Sequence, residues 1–258
     1  MKFAIACAAS IGVTWLGINP RYQARDFEHI LADADPTLLA VMSPFDGRDY
    51  CAELAAIAPA LPMVCHGDAT AGAVSLDAFL AAGAAVDDAA LEAARARVAP
   101  EDIALIVYTS GTTGRPKGAM LSQATITASA WANLQWMGQA GLRSSVCAAP
   151  VNHVGAINNL CMPVLAAGGH IIFHPRVDVA AIGEISRRER PTYLVSSPTG
   201  FAMMLQQPQG MAERLSATRL IVFGGAVTPE PVLEKFARPD LHLANVYGQT
   251  ETCGIITR

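Results

Sequence analysis

Charge is scarce in this chain. Of its 258 residues only 16% are Asp, Glu, Lys or Arg, against 52% hydrophobic. No basic excess exists either: the formal net charge is -4 and the isoelectric point is near 5.8. A nucleic-acid-binding surface is normally basic, so that class is excluded. The six cysteines, Cys7, Cys51, Cys65, Cys147, Cys161 and Cys253, form no C-x-x-C pair and no zinc spacing. Most fall in apolar runs, which predicts small core residues in a reducing compartment, with the cytoplasm as default. Repeats and low-complexity tracts are absent, and so is an unbroken apolar run of the ~20 residues that a membrane-spanning helix needs. The apolar N-terminal stretch, with Lys2 ahead of it, superficially resembles a secretory leader. It is broken by Gly12, Thr14 and Gly17, and flows into Asn19-Pro20-Arg21 without a convincing cleavage site. What remains is the composition of a globular α/β protein, long enough for one large or two small domains.

Helical and strand-like segments alternate along it. Helical spacing of Phe27, Ile30 and Leu31 predicts a helix from Ala24 to Ala34, and Cys51 to Ile57 a second. Short strands are expected at Thr37–Met42, Pro62–Cys65 and Ile103–Val107. Residues 67–99 offer two weak helical patches in a surface excursion. A long helix is expected from Ser122, its N-cap, towards Met137. The glycines of 138–145 mark the internal joint. Beyond it, strands are predicted at Val146–Ala149, Ile171–Phe173, Thr192–Val195, Arg219–Phe223 and Leu241–Val246. Helices are expected around Ala156–Ala166, Val179–Arg188, Thr199–Gln206 and Pro229–Phe236. The expected architecture is two layered α/β subdomains, 1–143 and 144–258, with largely parallel sheets covered by helices.

Two stretches carry chemistry. Tyr108-Thr109-Ser110-Gly111-Thr112-Thr113-Gly114-Arg115-Pro116-Lys117-Gly118 packs glycines, hydroxyls and a lysine into one loop after a buried strand. Unpaired backbone N–H groups in such a loop form a nest for anions, above all phosphates. It is not a Walker A site, because Lys117 is followed by Gly118 and not by Ser or Thr. A flexible surface loop with a solvated lysine is the bland alternative for such composition. The second stretch, Asn245-Val246-Tyr247-Gly248-Gln249-Thr250-Glu251-Thr252, follows an apolar strand, where open α/β sheets bind ligands. Tyr247 offers a flat face to a purine, Thr250 a hydroxyl to phosphate, and Glu251 a hard oxygen to Mg²⁺. The alternative is a strand-to-helix turn with Thr250 as N-cap.

Together the two stretches resemble the phosphate-binding loop and the "YGxTE" motif of the adenylate-forming (AMP-dependent synthetase/ligase) superfamily, in its acyl-CoA synthetase-like branch. The resemblance spans nearly the whole chain. It implies nucleotide contacts at Thr109, Ser110, Gly111, Thr112, Thr113, Gly114 and Lys117, and at Asn245, Val246, Tyr247, Gly248, Gln249 and Thr250. Gly225 and Ala226 match a "GGA" turn that lines the adenine and acyl pocket, with Gly224 on the substrate side. Val227 stands where the usual proline would be. His153, in Pro150-Val151-Asn152-His153-Val154-Gly155, matches a region near the substrate carboxylate, although a lone His is more often structural. Lys117, Thr250 and Glu251 take the catalytic roles, Glu251 as the magnesium ligand. Asn19-Pro20-Arg21 and the helix start Ala24-Arg25-Asp26-Phe27 match as structure only, and residues 1–18 as a buried helix and strand.

The activity so implied is ATP-dependent conversion of a carboxylic acid to an acyl-adenylate, then to a thioester with coenzyme A. Amino-acid-activating relatives place an aspartate in the His153 region, and none occurs from Pro150 to Leu160, which tilts the substrate towards an acid without an α-amine. The resemblance also predicts an incomplete large domain. The family's "TGD" aspartate and C-terminal lysine have no counterpart after Glu251, so reduced competence and self-association through uncovered apolar surface are expected. A non-catalytic nucleotide-binding module, or an adenylating half serving a carrier protein, are the alternatives. Chain length of the acid and oligomeric state are not fixed by these residues.

Overall fold

The computed structural model describes residues 4–109, 115–206 and 214–258. The first part opens with α1 (Ala4–Ser10) and β1 (Trp15–Gly17). The expectation that α1 is buried fails: its described side chains are exposed or half-buried. β1 lies parallel to β5 (Ile103–Thr109), and β5 pairs antiparallel with β6 (Lys117–Ser122). A second sheet, parallel throughout, joins β2 (Leu39–Ser43), β3 (Met63–Gly67) and β4 (Val74–Ser75). Against it pack α2 (Ala24–Ala34) and α3 (Tyr50–Ile57), whose Phe27, Leu31, Cys51 and Leu54 share a core with Leu39, Val41 and Cys65. The surface excursion carries α4 (Leu76–Gly83) and α5 (Asp88–Ala96), neither of which buries a side chain.

Five parallel strands form the second part: β7 (Ser144–Cys147), β8 (His170–Phe173), β9 (Tyr193–Ser196), β10 (Leu220–Phe223) and β11 (His242–Asn245). Their order is β11-β10-β9-β7-β8. Successive side chains of a strand point to opposite faces, and in the central strand β10 both faces are dry. Leu220 and Val222 face one cluster with Tyr193, Leu160 and Val164. Ile221 and Phe223 face another with Phe201, Ile182 and Phe236, supplied by α8 (Val179–Glu189), α9 (Pro198–Leu205) and α10 (Glu230–Phe236). Phe201 and Phe223 meet at a tilt of 57°, with ring centroids 4.7 Å apart. Five of the six cysteines are buried, Cys7 being exposed, and none is bonded to another. Among the described residues no helix is long and apolar enough to cross a membrane.

Three elements differ from the sequence-based expectation. The single helix expected around Ala156–Ala166 is a π-helical segment, Gly155–Cys161, followed by α7 (Met162–Ala166). The cause is Pro163, which has no N–H to give the carbonyl of Asn159 four residues back. That carbonyl instead accepts the Tyr193 hydroxyl at 2.7 Å. Second, the glycine-rich loop does not run into the long helix: β6 intervenes, and Lys117 is its first residue. Third, the strand expected at Leu241–Val246 is the shorter β11, and the chain then makes an antiparallel hairpin of β12 (Tyr247–Gln249) and β13 (Gly254–Thr257).

The long helix itself, α6 (Gln123–Met137), starts where expected, with the Ser122 hydroxyl accepting from Thr125 N at 3.2 Å. Losing such a cap costs about 1 kcal/mol. Ser122→Ala should lower the stability of the chain by that amount, read as a shift of the urea midpoint at constant slope.

Candidate functional site

The described residues among those singled out from the sequence follow β7, β10 and β11 of the five-stranded sheet or lie at the β5–β6 stem. Phe223 and Asn245 are register partners on β10 and β11, so Gly224-Gly225-Ala226 and Val246-Tyr247 leave the sheet side by side. The two exits are tied: the Thr228 hydroxyl donates to Asn245 Oδ1 at 2.6 Å. Gly225 has φ +85° and open space around it, a backbone conformation that a side chain would strain. Gly224 is close to Val246, since a Cβ there would lie 3.3 Å from Val246 Cγ2. Tyr247, Gly248, Gln249, Gly225 and Ala226 are exposed, and Val246 is buried beneath them.

After β12 the chain turns through a short 3-10 helix, Thr250–Thr252, with Gln249 as its capping residue. Thr250 therefore opens the turn and is not its N-cap. Its side chain is buried while that of Glu251 is exposed. The Thr252 hydroxyl lies 3.0 Å from the Gln249 carbonyl and 3.2 Å from that of Gly254, closing the turn. This turn packs against β6, the strand that begins at Lys117. Thr109 and Lys117 face each other at the end of the β5–β6 ladder. Ser110, Gly111, Thr112, Thr113 and Gly114 lie outside the described residues. The turn of the second signature stretch thus lies against the strand that leaves the first.

A small buried cluster fastens the arrangement. Leu105 and Val107 of β5, Leu121 of β6, Val154 and Ile157 beside His153, and Cys253 after Glu251 form one core. Polar contacts run through the same point. Asn158, fully buried, donates to the Cys253 carbonyl at 3.2 Å, and the Ser129 hydroxyl of α6 donates to that carbonyl at 3.3 Å. Asn159 Oδ1 accepts from Ile255 N at 3.3 Å. Sequence reading passed over Asn158, Asn159 and Thr228. The signal for the first two was present: a pair of amides inside an otherwise apolar helical run.

His153 is exposed, and its Nδ1 accepts from Gly155 N at 3.0 Å. A neutral ring so engaged carries its proton on Nε2. Lys117 and Glu251 are also exposed, and neither forms an ion pair with another described residue. Tyr108, at the start of the glycine-rich stretch, is half-buried. Burial, and then its hydrogen bond to Asp33, push its phenol well above the usual range, so the hydroxyl stays protonated. No group of three or more His, Cys, Asp or Glu able to hold a metal occurs among the described residues. Cavity volume alone does not mark this site. A cavity of about 480 Å³ between Val98, Pro100, Gln123 and Thr127 holds none of the motif residues, whereas one of about 420 Å³ borders Asn245.

Thr109 and Lys117 thus close the β5–β6 ladder, and the turn carrying Thr250 and Glu251 packs on the strand that Lys117 begins. The family model described as AMP-binding enzyme matches residues 1–258. The indoleacetate–CoA ligase of Aromatoleum aromaticum is 32% identical over 99% of this chain and 49% of its own length. A feruloyl-CoA synthase of an Amycolatopsis species is 29% identical over 97% of the chain and 47% of its length. The chain thus spans about half the length of the curated relatives it matches. Among solved structures, a putative long-chain-fatty-acid CoA ligase from Rhodopseudomonas palustris superposes with a TM-score of 0.80 at 18% identity. It covers 97% of this chain and 60% of that one, a likeness of fold. ATP-bound MatB from the same organism gives 0.68 at 25% identity, over 94% and 46%. This chain belongs to the AMP-binding enzyme family.

Proposed function

We propose that these residues form the nucleotide-handling part of an acid–thiol ligase that activates a carboxylic acid with ATP and passes the acyl group to coenzyme A. In the first step a carboxylate oxygen attacks the α-phosphorus, and the bond to pyrophosphate breaks, giving acyl-AMP. In the second the thiol sulfur attacks the acyl carbon, AMP leaves with the bonding pair, and the thiol proton is released. Both reactants of the first step are anions, so the task of the protein is to neutralise charge and align groups, with no protein nucleophile. Lys117 supplies a cation at the phosphates, Thr109 and Thr250 supply hydroxyl donors, and Tyr247 supplies a ring against adenine. Gly224, Gly225 and Ala226 leave room for a flat ligand against bare backbone.

What supports this reading is one contact: the turn that carries Thr250 and Glu251 packs on the strand that begins at Lys117. Both named curated relatives carry CoA and a carboxylic acid or its acyl group in their names, and a matched fold neighbour was solved with ATP bound. The absence of an aspartate from Pro150 to Leu160 favours an acid without an α-amine, with His153 near its carboxylate.

Glu251 fits magnesium: an exposed carboxylate with no partner among the described residues, one protein ligand of the kind this ion takes alongside phosphate oxygens. When bound, the ion would neutralise developing phosphate charge. Glu251→Gln keeps size and hydrogen bonding and removes the charge, so the Mg²⁺ concentration giving half-maximal pyrophosphate exchange should rise several-fold, about 3- to 5-fold. An unchanged Mg²⁺ dependence would leave Glu251 as a turn residue. No exchange by the unmodified protein with any carboxylic acid, despite ATP binding, would favour a non-catalytic nucleotide-binding module.

A further inference from the structure

One helix touches the glycine-rich hairpin on both sides of its loop. His29 and Asp33, four residues apart, share one face of α2. The Tyr108 hydroxyl, on β5 before the loop, donates to Asp33 Oδ2 at 2.5 Å. His29 Nε2 lies 3.1 Å from the carbonyl of Pro116, after the loop. A carbonyl only accepts, so Nε2 carries the proton and donates. The two aromatic rings complete the contact, His29 meeting Tyr108 edge-on with centroids 6.5 Å apart. Gly118 lets the Tyr108 ring lie flat on β6, because a Cβ there would come 3.3 Å from Tyr108 Cζ and 3.0 Å from Ile106 Cγ2.

We infer that α2 braces the stem of this hairpin, making His29, Asp33 and Tyr108 positioning residues that fix where Thr109 and Lys117 present their donors to a phosphate. The inference rests on the ATP reading proposed above. Thr109 and Lys117 are each one residue from a braced neighbour, Tyr108 and Pro116. They are also the last pair of a two-stranded ladder, the place where such a ladder opens at least cost. Contacts of α2 with Tyr108 on β5 and with Pro116, just before β6, oppose that opening. Since displacing a reacting or binding group by about 1 Å can cost up to about 10²-fold, a brace outside the site can govern affinity inside it.

The role runs through the Asp33–Tyr108 hydrogen bond and not through the Asp33 charge, which makes it separable. ATP with Mg²⁺ is titrated calorimetrically into the 258-residue chain and its variants, alongside melting temperatures. Asp33→Ala and Tyr108→Phe should each raise the Kd about 5-fold, and the double variant should be no weaker than either alone, as expected of two ends of one interaction. Asp33→Asn, which keeps an acceptor, should bind within about 2-fold of the unmodified chain. Should Asp33→Ala fail to fold, Tyr108→Phe, which removes a single oxygen, carries the test. If Lys117→Ala weakens ATP while Asp33→Ala and Tyr108→Phe do not, or if their effects simply add, the brace is refuted and the ATP reading stands. If the unmodified chain binds no ATP, that reading falls and the brace with it.

Discussion

Lys117→Ala will weaken ATP binding, or first-step turnover in a competent form of the protein, by about 10²-fold, the scale of losing one positioned donor to a developing charge. The side chain is exposed at the head of β6, opposite Thr109, and its ammonium forms no ion pair with another described residue. A cation with no carboxylate partner among the described residues can meet an incoming anion. The side chain is exposed, so the loss should appear in affinity and rate without a change in melting temperature. Calorimetric titration of ATP, joined to pyrophosphate exchange, reads both quantities. Equal affinity together with equal exchange would remove Lys117 from the site.

Gly248→Ala is expected to do damage of the opposite kind. A Cβ at Gly248 would stand 2.0 Å from the carbonyl oxygen of Gly254 and 2.9 Å from Ile255 Cα, both on the facing strand of the β12–β13 hairpin. Backbone cannot step aside as a flexible side chain can. Gly254 has no slack to give, with φ at +117° and the Asn159 amide oxygen 2.1 Å from where its own Cβ would be. Forced overpacking of this sort costs about 3 kcal/mol, the upper end of the usual range. Because the hairpin carries Tyr247 and leads into Thr250, nucleotide affinity should fall with stability. Urea unfolding and ATP titration of the same variant test this, and wild-type values for both would mean that the hairpin accommodates a methyl group after all.

The parallel core was legible because its strands are short apolar runs bounded by turn residues. Leu220-Ile221-Val222-Phe223 announces a strand dry on both faces, and the structure buries all four. The Tyr247–Glu251 stretch was legible as the polar exit from such a strand. β6 was not, because Lys117-Gly118 reads as the tail of a loop, and only pairing with β5 reveals a strand in which Met120 is exposed and Leu121 buried. The π-helical segment was hidden for a related reason. Pro163 withholds the N–H that the Asn159 carbonyl would take, and the partner that replaces it, the Tyr193 hydroxyl 34 residues away, is encoded by no local period. The contacts of α2 with the hairpin stem were equally invisible. Asp33 and His29 look like the solvated face of an amphipathic helix until Tyr108 and Pro116 are brought alongside.

The cluster of Leu105, Val107, Leu121, Val154, Ile157 and Cys253 has a consequence for how the molecule breathes. Regions that share a buried core open together, as one cooperative unit, and not segment by segment. Amides of the β5–β6 stem, of the segment after His153 and of the turn holding Glu251 should therefore belong to one such unit, although Leu105 and Cys253 stand far apart in the chain. A ligand that touches any one of the three withdraws all of them from the opening equilibrium, so that exchange would slow in all three at once.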